Sequence, residues 1–133
     1  MYLVDTNVWL ERLLNQKNSE EVRLLLDNIP AESLYITDFA FHSIILILCK
    51  LNETETMRRF VQDIFIDGDV NYIHLKPEDT RYLIDIMKQF KLDFDDAYQY
   101  FAAKKYSLNL ASFDTDFDRT ELGRKTPAEI IEK

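Results

Sequence analysis

Five aspartates stand where a chain can do chemistry with oxygen ligands: Asp5, Asp95, Asp96, Asp114 and Asp116. Asp5 closes the apolar run Tyr2-Leu3-Val4, Asp95 and Asp96 open the stretch "DDAYQYFAAKKY", and Asp114 and Asp116 follow Ser112 in "ASFDTDFD". From Asp93 to Asp118 six aspartates face two lysines, a net −4 that is half of the chain's −8. Carboxylates crowded at one place repel one another unless a cation lies between them. Mg²⁺ and Mn²⁺ take oxygen ligands in octahedral geometry and keep several waters, and Asp offers its oxygens on a short arm. Each of these acids is also a common cap or turn residue. It is their meeting at one edge of a fold that would point to a cation.

The elements decide whether they meet. Residues 1–5 read as a short buried strand, 34–36 as a second, 71–75 as a third and 108–112 as a fourth. Helical patterns lie between them. The first runs from Asn7 to about Asn15 and the second from Ser19, its expected cap, to Asn28; a long one capped by Thr37 or Asp38 reaches about Leu51. Further helices are expected from Glu55 to Ile66 behind a Thr54 cap, from Pro77 to Phe90, from Asp93 to Tyr106, and in a short tail from Pro127. This alternation predicts an α/β fold: a three-layer α/β/α sandwich with a central, mostly parallel sheet, built by residues 1–133 as a single domain. In such a sheet ligands bind beyond the carboxyl ends of the strands. Asp5 and Asp114 sit at those ends, and the helix opened by Asp95 and Asp96 starts there, because it feeds the opposite end of the next strand.

Composition narrows the class. A hydrophobic fraction of 47% in 133 residues supports a folded core. Two glycines and three prolines favour helices over a turn-rich β sandwich. The single cysteine, Cys49, excludes an intrachain disulfide and is expected to be a small buried hydrophobe in a reducing cytoplasm. No basic leader opens the chain, and the run Ile44–Cys49 is too short for a bilayer, so a cytoplasmic protein without membrane contact is expected. The acidic balance disfavours general electrostatic gripping of nucleic acid. It leaves room for a nuclease whose bound cations reverse the local sign.

"VDTNVWLE" and "LDFDDAYQYFAAKKYSLNLASFDTDF" resemble the opening and closing motifs of PIN-domain proteins. The resemblance spans nearly the whole chain and implies a PIN-like fold and a metal-dependent endoribonuclease. It suits the small prokaryotic VapC-type toxins, which are inhibited by a VapB-type antitoxin and are often homodimeric. Carried over by position, Asp5, Asp96 and Asp114 match metal-binding acids, and Asp116 matches the acid just after them. Asn7, Thr6, Ser112 and Asp95 are supporting positions. Mg²⁺ or Mn²⁺ is the implied cofactor, RNA the implied substrate, and 5′-phosphate and 3′-hydroxyl ends the implied products.

One position departs from that pattern. The family usually places a Glu on the long helix after the second strand, near His42 or Ser43, and none is there. This favours an alternative, a degenerate PIN module that binds RNA or protein without efficient cleavage. A receiver-like phosphoacceptor domain also gathers acids at strand ends, but its pattern needs an acidic pair after the first strand and an Asp ending the third, which this chain lacks. Lys50, Arg58, Arg59, Lys104, Lys105 and Arg119 are the cations available to phosphates. The nearly all-apolar "FAFHSIILILCKL" is either a deeply buried helix or part of an interface.

Overall fold

In the computed structural model, which describes residues 1–132, four short apolar runs form strands: β1 (Tyr2–Val4), β2 (Leu34–Thr37), β3 (Asn71–Ile73) and β4 (Asn109–Ala111). All pair in parallel, in the order β3-β2-β1-β4. Tyr2 stands opposite Leu34 on one side and Asn109 on the other, and Val4 opposite Ala111. Helices α1 (Thr6–Leu13) and α2 (Ser19–Asn28) join β1 to β2; α3 (Asp38–Lys50) and α4 (Thr54–Val61) join β2 to β3. Helices α5 (Thr80–Phe90) and α6 (Phe94–Lys105) lead back to β4, and α7 (Pro127–Ile131) closes the described chain.

This order explains the layers. The steps from β1 to β2 to β3 travel one way across the sheet, so right-handed crossovers put α1 to α4 on one face. The return from β3 past β1 to β4 travels the other way and puts α5 and α6 on the opposite face. Alternating side chains follow suit. Val4, Ala111, Leu34 and Ile36 pack with Trp9, Val22, Leu25, Ile44, Leu48 and Phe60 on one side. Leu3, Leu110 and Ile73 pack with Leu83, Ala97, Tyr100, Ala103 and Phe117 on the other. Trp9 keeps its indole satisfied in that core by donating to the Val4 carbonyl at 3.2 Å. The three-layer arrangement with a parallel sheet is the one the sequence predicts.

Several boundaries move. The third strand stops at Ile73, and Pro77–Asp79 is a 3₁₀ turn before α5 begins. Ser19 is the first residue of α2 rather than its cap; its hydroxyl accepts from Arg12 at 3.0 Å. Thr54 likewise lies inside α4, behind Glu53. Cys49 is exposed, not buried. Ala40, Ile44 and Leu48 form the inward stripe of α3 at four-residue spacing, and Cys49 is turned about 100° beyond it. A fifth strand is reduced to one parallel bridge between Ala111 and Lys125. Among the described residues no helix is long and apolar enough to cross a membrane.

The expected helix to Ile66 ends its α-helical part at Val61 and widens into a π turn over Gln62–Ile66. Asp67 N donates to Gln62 O at 2.8 Å to close it. The chain then doubles back so tightly that a Cβ on Gly68 would meet the backbone carbonyls of Asp63 and Ile64, the latter at 2.8 Å. Gly68→Ala should therefore destabilise the fold by about 1–3 kcal/mol, the range for forced overpacking, read as a lowered denaturation midpoint; an unchanged midpoint would show that the turn relaxes freely.

Candidate metal centre

Strand β1 delivers Asp5 to the sheet's carboxyl edge with little freedom left. Its backbone N still pairs with Ala111 O at 2.9 Å, and its carbonyl accepts from Val8 N, so it is at once the last ladder residue and the N-cap of α1. Only 5% of its surface is exposed. Burial pushes its carboxyl above the usual range, while hydrogen bonds from Ser112, Gln99 and Thr6 oppose that rise. Thr6 contributes its backbone N–H, at 2.9 Å from Oδ1.

Strand β4 lies beside β1, where the sheet order reverses, and delivers the second group of residues. The Ser112 hydroxyl donates to Asp5 Oδ2 at 2.8 Å. It accepts in turn from Asp114 N at 3.0 Å and Asn7 Nδ2 at 3.3 Å. Asn7 also accepts from Phe113 N at 3.2 Å, clamping the exit of β4 to the start of α1. Asp114 caps the 3₁₀ turn Thr115–Arg119 by accepting from Asp116 N at 2.8 Å. Asp116 is held at 3.1 Å by Arg119, whose guanidinium also donates to the carbonyls of Phe90 and Lys91 at the end of α5.

Helix α6 brings the third group. Asp93 caps it by accepting from Asp96 N at 3.1 Å, and Asp95 and Asp96 fill its first turn. Asp96, Asp114 and Asp116 each place a carboxylate oxygen so that the three atoms lie within 4.8 Å of one another. Partial burial, and then the charges of Asp114, Asp93 and Asp5, push the Asp96 carboxyl up to about 8. Oxygens this close, one of them driven to hold a proton, are a donor set that a hard divalent cation would relieve, so the residues present fit Mg²⁺ or Mn²⁺.

The structure thus gathers Asp96, Asp114 and Asp116 closely. Asp5 stands just behind them, engaged by three donors, and Asp95 is exposed at the mouth of a cleft of about 330 Å³. Asp5, Asp96 and Gln99 line that cleft on one side, and Phe39, Ser43, Leu46 and Ile47 of α3 line the other. Ser43, not His42, is the α3 residue that faces it. His42 is exposed beside Phe41 and Met57, on a different groove. Asp38 is taken up by Tyr98, which donates to it at 2.7 Å. A larger cavity, about 620 Å³, lies elsewhere, between α1, α2 and α4.

Sequence reasoning missed Gln99 as a site residue, and saw in Thr37 only a helix cap. Gln99 is 2% exposed and donates to Asp5 Oδ1 at 3.1 Å. Its signal was present: a polar residue between Tyr98 and Tyr100 on a helix stretch otherwise apolar or aromatic, three positions after Asp96 and so on the same face.

Comparison with known proteins gives a consistent picture. A family profile described as PIN domain matches residues 2–122. The search of curated proteins returned no match. Among solved structures, VapC20 of Mycobacterium tuberculosis, described as a sarcin–ricin loop cleaving toxin, is similar with a TM-score of 0.80 at 15% identity, over 96% of this chain and 100% of that one. A toxin–antitoxin complex from Klebsiella pneumoniae gives 0.77 at 20% identity, over 97% and 99%. FitAcB from Neisseria gonorrhoeae gives 0.76 at 24% identity, over 96% and 98%. At these identities the structures establish a shared fold.

The raised Asp96 carboxyl makes stability depend on pH in a definite direction. Its folded value of about 8 lies above the 3.8 of a free aspartate, so between those limits the folded state binds more protons than the unfolded one. Stability of the metal-free protein should fall as pH rises from 5 to 8, by a few degrees in Tm, since Asp96 stays half-exposed and screened. Calorimetry across that range checks this. Asp96→Asn should flatten the slope, and a Tm that rises with pH in the wild type would contradict it.

Proposed function

The chain belongs to the PIN-domain family, and on that premise we propose that it is a metal-dependent endoribonuclease, the toxin of a VapBC-type toxin–antitoxin pair. The observation that carries this is the convergence of Asp96, Asp114 and Asp116, with Asp5 behind them, on one edge of the sheet. Asp96, Asp114 and Asp116 would hold Mg²⁺ or Mn²⁺, with Asp5 as a further ligand. Such an ion, when bound, acidifies a water and neutralises charge on the phosphoryl oxygens.

The chain's own part is placement. Ser112, Asn7 and Thr6 fix Asp5 and the backbone of Asp114 relative to each other. Arg119 restrains Asp116 and leaves a partly exposed cation beside the acids, where it would meet a phosphate. Neither histidine lines the cleft, which disfavours imidazole acid–base cleavage and its cyclic phosphate product. Among the other cations named from sequence, Arg58 is paired with Glu55 and Lys105 with Asp79. Residues 1–133 would act as one catalytic domain, in the cytoplasm. A VapB-like antitoxin and a second copy of the chain are the proposed partners. In support, an apolar groove runs along α3 and α4 past Phe41, Ile45, Met57, Val61 and Ile66.

One observation favours a second reading. The α3 residues at the cleft, Phe39, Ser43, Leu46 and Ile47, supply no charge, which suits a PIN module that binds without efficient cleavage. A Mn²⁺ titration by calorimetry, run beside cleavage of single-stranded RNA, separates the two. The nuclease reading expects binding and cleavage to 5′-phosphate ends, with cleavage lost to background in Asp5→Asn, Asp96→Asn and Asp114→Asn. Binding without cleavage would establish the second reading. Cleavage that persists in all three variants would overturn the assignment of the site.

A further inference from the structure

Asp5 is reached by a chain of hydrogen bonds that begins on another helix. At the start of α3, Ala40 N donates to Thr37 Oγ1 at 3.0 Å. With that N–H accepted, the Thr37 hydroxyl proton is free to go to Gln99 Oε1, 2.6 Å away. This fixes which way the Gln99 amide faces: oxygen to Thr37, nitrogen to Asp5 Oδ1 at 3.1 Å. The reversed amide would set its oxygen against a carboxylate and leave the threonine proton without an acceptor. Thr37 is fully buried and Gln99 is 2% exposed, so water does not substitute for either link.

The acceptor positions of Asp5 can then be counted. Oδ1 receives Thr6 N at 2.9 Å and Gln99 Nε2, which fills both of its lone-pair positions. Oδ2 receives Ser112 Oγ at 2.8 Å and keeps one position open. We infer that Gln99, oriented by Thr37, is a positioning residue that locks Asp5 as a one-oxygen ligand, leaving a single Oδ2 position for a divalent cation beside Asp96, Asp114 and Asp116. This rests on the reading of those carboxylates as a cation site. It adds to that reading a device at the β2–α3 junction and in α6 that holds the buried acid in register with the half-buried ones. Partners that orient first ligands in this way are worth roughly 10–100-fold in metal affinity.

The test is Mn²⁺ affinity by calorimetry on the folded protein without RNA, for wild type, Gln99→Met, Thr37→Val and Thr37→Ser. Gln99→Met keeps the side chain's length and removes both amide groups. It should weaken Mn²⁺ by about 10–100-fold with the circular dichroism spectrum unchanged. Thr37→Val frees the amide to turn and should weaken binding in the same direction. Thr37→Ser keeps the hydroxyl and should bind within about twofold of wild type, a rescue that a mere packing role for Thr37 would not give. Should Gln99→Met fail to fold, the valine and serine pair still decides the matter. Wild-type affinity in Gln99→Met or in Thr37→Val, with wild type itself binding, would overturn the positioning role and leave the cation site standing. No Mn²⁺ bound by wild type would overturn both.

Discussion

A carboxylate taken out of water must be met by donors, and the carboxyl edge of this sheet is organised around that requirement at Asp5. Thr6 meets it from α1, Ser112 from the end of β4 and Gln99 from α6. The two side-chain donors are themselves committed by further bonds: Ser112 by Asp114 N and Asn7, Gln99 by Thr37. The polar network therefore ties together β1, β2, β4, α1 and α6, elements whose apolar packing belongs to two separate cores. Burial, which raises the charge problem, also makes the solution rigid, because buried groups cannot exchange these partners for water.

The half-buried acids follow a different logic. Asp96, Asp114 and Asp116 each satisfy a local need: Asp96 starts a helix, Asp114 caps a turn and Asp116 is gripped by Arg119. Those needs are ordinary at the start of a helix or turn, and only tertiary structure turns three such residues into one cluster. Partial burial, and the charge repulsion that remains after local satisfaction, together raise the carboxyl of Asp96, and capping alone does not account for acids gathered this closely.

Much of this was legible in the sequence because it depends on local pattern plus one topological rule. An apolar run ending in Asp5, a helix opened by Asp95 and Asp96, and a strand leading through Ser112 to Asp114 place themselves once the sheet is parallel. What was not legible depends on rotation and on distant partners. His42 and Ser43 are adjacent in sequence, yet about 100° apart around α3, and only the packing of Ala40, Ile44 and Leu48 decides that Ser43 meets the cleft. The same rotation exposes Cys49, whose apolar neighbours suggested burial. Gln99 reads as an ordinary helix residue until Thr37 and Asp5 are seen on either side of it. The wide turn after Val61 is set by how closely the chain must return at Gly68.

The bond between Ser112 and Asp5 joins residues 107 positions apart, and β4, which brings them together, is the last strand to be made. During synthesis the first acid therefore emerges long before the hydroxyl that orients it and before the acids it works beside. A nascent chain still short of β4 carries Asp5 on a β1 strand whose outer edge has no partner yet, and it lacks Ser112, Asp114 and Asp116. Whatever chemistry the assembled cluster supports, a chain still short of β4 does not yet carry the complete cluster. The threading of the sheet, with its centre completed by distant parts of the sequence, makes the assembly of the cluster wait for the fourth strand.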